Sequence, residues 1–146
     1  MLFISTNSAK TILLIFIVVG IISCKKEDLA GTNTLNQTVD TTAVLQYKGD
    51  FVNGPWGAVT GSAAIYKQHD KLILKLNNFN TSNGPDLHVY ISKEIMPVTF
   101  FNLGKIKSTN GNQVYEILGT PNFKDYKYIN IHCVAYNHLF GWAEIK

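Results

Sequence analysis

From Ala58 to Ile145 the chain repeats one texture: apolar residues at every second position in short runs, each run ended by Gly, Asn, Asp or Pro after roughly ten residues. Alternation of this kind turns one face of an extended chain inward and the other outward. The runs are Ala58 to Lys67, Lys71 to Leu76, Leu87 to Ser92, Phe101 to Lys107, Gln113 to Leu118, Tyr128 to Tyr136 and Leu139 to Ile145. Asn53-Gly54-Pro55, His69-Asp70, Asn83-Gly84-Pro85, Asn110-Gly111 and Asn137-His138 supply turn residues, and Asn110-Gly111 is the sharpest hairpin signal. No segment beyond the leader keeps apolar residues at helical spacing for three turns. The expected fold is therefore all-β, an antiparallel β-sandwich or barrel of about seven to eight strands with little helix. Hydrophobic residues at 46% and charged residues at 16% give such a sheet a core to bury and exclude a disordered chain.

The first residues follow a different rule. Thr11 to Ile22 (TILLIFIVVGII) is an uncharged apolar run behind a short polar segment ending in Lys10, the layout of a secretory signal. As a helix it would span about 18 Å, short of the ~30 Å hydrocarbon core that a permanent span must cross. Ile21-Ile22-Ser23-Cys24 closes it and resembles the lipobox of bacterial lipoproteins. That resemblance implies a signal peptide over 1–23 and a lipid on Cys24, so that the membrane is a partner through acyl chains worth about 0.8 kcal/mol per buried methylene. Lys25-Lys26-Glu27-Asp28 resembles the surface-export signal of Bacteroidetes lipoproteins. The expected location is the bacterial cell envelope, lipid-anchored at the outer membrane and displayed at the surface. Leu29 to Val44 is rich in Thr and Asn, lacks aromatic residues and shows no periodicity. It reads as the end of a flexible tether over 24–44, with the folded domain over 45–146.

With Cys24 tied to lipid, Cys133 has no partner for a disulfide, and the domain carries one thiol. Alternation in Tyr128 to Tyr136 sets Ile129, Ile131, Cys133 and Ala135 on the inward face and Asn130, His132, Val134 and Tyr136 on the other. Cys133 is thus expected in the core and slow to react. His132 points away from it, so the adjacent pair does not converge on one metal. In Leu87 to Ile91 the inward residues are Leu87, Val89 and Ile91. Asp86 and His88, two apart, lie on one side of the strand, where they share either a metal or a proton, or are merely a turn cap and a half-exposed surface residue. The formal charge is +3, from Lys alone without Arg and without clusters, which argues against nucleic acid. The sequence contains no Gly-x-Ser-x-Gly, Walker loop, Cys-x-x-Cys, His-Glu-x-x-His or haem-attachment motif.

Leu76 to Ser92 (LNNFNTSNGPDLHVYIS) resembles the central signature of the DM-thirteen domain family. Gly49 to Phe51, Val59 to Ala63, Asn102-Leu103-Gly104, Gly111 to Tyr115, Ile131-His132-Cys133 and Phe140 to Ala143 follow in the family's order, covering essentially the whole domain. The resemblance implies a β-sandwich-like module related to the DOMON domains, which bind haem or sugars, and an electron-transfer role suggested by a single retained cysteine. Two positions depart from the pattern: Gly57 stands where bacterial members often carry His, and His132 where Trp often precedes the cysteine. The first weakens a metal or haem reading.

The functional expectation is a non-enzymatic, membrane-anchored lipoprotein whose domain binds a small molecule, haem, a metal or a redox partner, with Cys133, Asp86 and His88 nearest the site. The alternative is a surface-displayed structural or interaction module in which Cys133 is only a core residue. A thiol enzyme is disfavoured, because a resolving cysteine is missing and no base falls on the same face.

Overall fold

A computed structural model describes residues 34–146 of the chain; the leader, Cys24 and the start of the tether lie outside the described residues. Nine strands and no helix are present there: β1 (Leu35–Asn36), β2 (Val44–Asn53), β3 (Val59–Gln68), β4 (Lys71–Thr81), β5 (Leu87–Ser92), β6 (Phe100–Lys105), β7 (Asn110–Ile117), β8 (Tyr128–Cys133) and β9 (His138–Glu144). The all-β expectation holds, with more strands than the alternation disclosed. They form one curled sheet in the order β1-β7-β4-β3-β2-β9-β8-β5-β6, antiparallel throughout except for the β1–β7 pair.

The curl comes from β2, which serves two partners. Its first part, Val44 to Asp50, pairs with β3, and Phe51 to Asn53 then pair with β9. The two halves of the sheet thereby close on one core. Ile65, Leu74, Leu76 and Phe79 come from one half and Val89, Ile91, Ile129, Ile131 and Ala143 from the other, all buried. β-Branched residues dominate the second half because they fit a pleated, half-buried surface. His69 and Asp70 form the β3–β4 turn as expected, with His69 in the left-handed region (φ 54).

Three expectations need correction. Asn110-Gly111 is not a hairpin turn: both residues belong to β7 and pair with Asn80 and Phe79 of β4. Gly111 has φ 98, and a Cβ on it would fall 2.1 Å from the carbonyl oxygen of Leu35. The glycine is needed for the close approach of β1, not for a reversal. The strand ending at Tyr136 stops instead at Cys133, and Ala135 is exposed in the turn before β9, not inward. Lastly, the last part of the segment read as tether holds a strand: Leu35 and Asn36 pair with Gly111 and Asn112.

That short strap is held by side chains as well. Gln37 donates its N–H to the Asn112 carbonyl at 2.9 Å, and its Oε1 accepts from Val114 N–H and from Lys107 Nζ, both at 3.0 Å. Lys107 follows β6, so Gln37 ties β7 to the segment that leaves the far edge of the sheet. Gly111→Val should push β1 away and cost about 1–3 kcal/mol, read as a lowered urea midpoint together with faster amide exchange at Gln37.

Candidate functional site

β5 and β8 lie side by side in register, Leu87 opposite Cys133, His88 opposite His132, Val89 opposite Ile131 and Tyr90 opposite Asn130. The inward residues are those the alternation predicts: Leu87, Val89, Ile91, Ile129, Ile131 and Cys133 all belong to the core. The other face carries His88, Tyr90 and Ser92 on β5 and Tyr128, Asn130 and His132 on β8, where neighbours across the strands stand about 4.5–5.5 Å apart at Cβ. His132 points away from Cys133, as the alternation requires. It is on the outer face, but it is 3% exposed.

The neighbour of His132 on this face, Asn130, is tied to the segment between β5 and β6. Asn130, fully buried, donates from Nδ2 to the Ile95 carbonyl at 2.7 Å and accepts from Ser92 Oγ at 2.6 Å. Ser92 Oγ also lies 2.6 Å from the Glu94 carbonyl. Glu94 Oε2 accepts from Thr99 N–H at 3.1 Å, closing the loop on itself. Phe100, at the start of β6, then stacks on Tyr90 with ring centroids 4.1 Å apart and planes 11° from parallel. Tyr90 stacks in turn on His132 at 5.4 Å. The result is a three-ring stack running from a partly exposed Phe100 to a buried imidazole.

Asp86 and His88 do come together, as their spacing predicts. Asp86 Oδ1 is 3.3 Å from His88 Nε2 and 2.9 Å from Lys105 Nζ. The hydrogen bond from Lys105 holds the Asp86 carboxyl below the usual carboxylate range, with the His88 side contributing less. On its other side His88 Nδ1 lies 3.1 Å from Asn102 Oδ1, which also accepts the Gly104 N–H at 2.8 Å. Burial raises the Tyr90 phenol above its ordinary value, and the Asp86 charge adds to this. Burial also lowers the His132 imidazole, and charge on His88 and His138 lowers it further.

Cys133 is not part of that cluster. It is 0% exposed on the inner face, the sheet separating it from Asp86 and His88. The chemistry-bearing residues therefore divide between two sides of β8, a thiol within and imidazoles, a phenol and a carboxylate without. Gly57 packs against Phe140, and a Cβ there would fall 2.4 Å from the ring, so a histidine at this position would require Phe140 to move. At the end of the face, Trp56 stacks on His138 at 3.9 Å with planes 3° apart.

Tyr90, Phe100, Asn102, His132 and His138 were not singled out as site residues from sequence. Tyr90 and His132 share the alternation phase of His88 and Asn130, which was the one available signal; that β5 and β8 are neighbours was not readable from it.

The sequence profile of the family described as Electron transfer DM13 matches residues 50–145, from the end of β2 to the residue after β9. No curated protein and no solved structure matches the chain.

Proposed function

We propose that this chain, which belongs to the electron transfer DM13 family, is a lipid-anchored envelope protein whose domain passes single electrons to and from a partner and catalyses no reaction of its own. One observation carries the reading. The Phe100–Tyr90–His132 stack leads from an exposed ring to the strand that holds Cys133, and His132 and Cys133 are joined by one peptide bond. An oxidisable phenol and an oxidisable thiol thus lie along one short route from the surface. A reagent must touch sulfur to react with it, whereas an electron can tunnel through a packed layer. The anchor is supported by the apolar run before Ser23-Cys24.

Voltammetry of the domain tests the reading, with an electron exchange lost in Cys133→Ser or Tyr90→Phe as the expected result. Native Cys133 should label slowly at neutral pH and fully after unfolding, and the protein should be colourless as purified. A haem band lost on Cys133→Ala would replace this reading with a haem-binding one. No electron exchange, together with a thiol seen only in the unfolded chain, would favour the structural module, for which burial of Cys133 speaks. Cys24→Ser should move the protein from the membrane to the soluble fraction while the domain stays folded; an unmodified Cys24 on a mature soluble protein would remove the anchor.

A further inference from the structure

We propose that His88 and His132 form a two-imidazole site for a soft monovalent cation of the Cu+ class. The two residues face each other across β5 and β8, so both rings rise from adjacent points on one face. His132 is buried, and its Nδ1 has no hydrogen-bond partner. A buried polar atom left bare costs about 1–3 kcal/mol, which a bound ion would recover.

His88 is oriented for the same task. Asn102 Oδ1 is fixed as an acceptor by the Gly104 N–H, so His88 Nδ1 donates to it. In the neutral ring the lone pair is then on Nε2, 3.3 Å from Asp86 Oδ1. Lys105 Nζ, 2.9 Å from the same oxygen, already balances the carboxylate, so the Nε2 lone pair is free to turn to an ion. Asn102 and Asp86 would serve as the outer partners that orient a ligating imidazole.

The donor count selects the ion. Among the described residues no group of three or more His, Cys, Asp or Glu side chains is arranged to hold a metal. A zinc ion, which takes four ligands, is poorly served by two nitrogens. A d10 monocation accepts two nitrogen donors in a linear arrangement, and copper is at home with imidazole. The stacked rings of Tyr90 and Phe100 would keep water from the bound ion. This site goes beyond the electron-transfer reading, and binding at equilibrium moves no electron, so either can fail alone.

The test uses the full chain carrying Cys24→Ser and Cys133→Ser, which removes both thiols as competing ligands. Ag+, a redox-silent stand-in, and Cu+ are titrated against a chromophoric chelator, while the imidazole nitrogens are followed by NMR. The expected result is one ion per chain, shifts at His88 and His132, and weak or absent Zn2+ binding. His88→Gln and His132→Asn should each weaken binding by more than about tenfold. Absence of binding, or an affinity unchanged in His88→Gln, would overturn the proposal. Should His132→Asn fail to fold, His88→Gln decides, because that side chain is only half-buried.

Discussion

A Phe79→Ala protein should lose about 3–5 kcal/mol of stability, the range for truncating a buried aromatic side chain. Phe79 is 1% exposed and meets the ring of Phe51 edge-on, centroids 5.7 Å apart. Phe51 lies where β2 leaves β3 for β9, so this ring pair joins the two halves of the sheet at the point where they become one. The backbone has bent to put Phe79 there. The β4–β7 register shifts between Leu76 and Phe79, and Asn78 sits in the left-handed region at φ 46, which Asn tolerates better than most residues. Because the cavity would open between the halves, the loss should appear as a lower urea midpoint for the whole domain rather than as local fraying. A loss below about 1 kcal/mol would mean that the halves collapse onto the space and that this contact does not hold them together.

How much of this could be read from the sequence depends on how local each feature is. In β5 and β8 the inward residues were legible, because period two needs only the strand itself: Leu87, Val89, Ile91, Ile129, Ile131 and Cys133 are all buried as the pattern requires. What covers the opposite face was not legible. Asn130 is held by the segment from Glu94 to Phe100 and His132 lies against Tyr90, on which Phe100 of that segment stacks, and no periodicity in β8 reports where the segment folds. Asp86 and His88 could be paired from their spacing. His88 and His132 could not, because β5 and β8 are separated in the chain by β6 and β7 and only the strand order sets them opposite. Asn110-Gly111 shows a subtler failure: the glycine's freedom was visible, but not that it would admit Leu35 rather than reverse the chain. A two-residue parallel strand such as β1 is too short to have a period at all.

Acid should weaken the fold through His132 before it reaches the carboxylates. In the unfolded chain this imidazole titrates at its ordinary value near 6.5, whereas in the folded protein burial, with charge on His88 and His138, holds it lower. Above about pH 7 both states are neutral and the residue contributes no pH dependence. As pH falls through 6.5 the unfolded chain takes up a proton that the native state refuses, so stability declines, and the decline ends only below the lowered native value. The groups set around the ring are His88, Tyr90, Asp86 and Lys105 on the β5–β6 side and His138 on β9. Tyr90, already raised, does not titrate in this window. Asp86, Asp40 and Glu144 have lowered native values, so their contributions are lost only as pH drops below the ordinary carboxylate range. Urea midpoints measured between about pH 7.5 and 5 should therefore fall in the wild-type chain and fall much less in His132→Phe, which keeps a ring against Tyr90 and removes the proton site. His88→Gln should give an intermediate slope, since it takes away one of the charges that depress His132. An equal slope in wild type and His132→Phe would place the titrating group elsewhere and leave the buried imidazole a neutral packing residue.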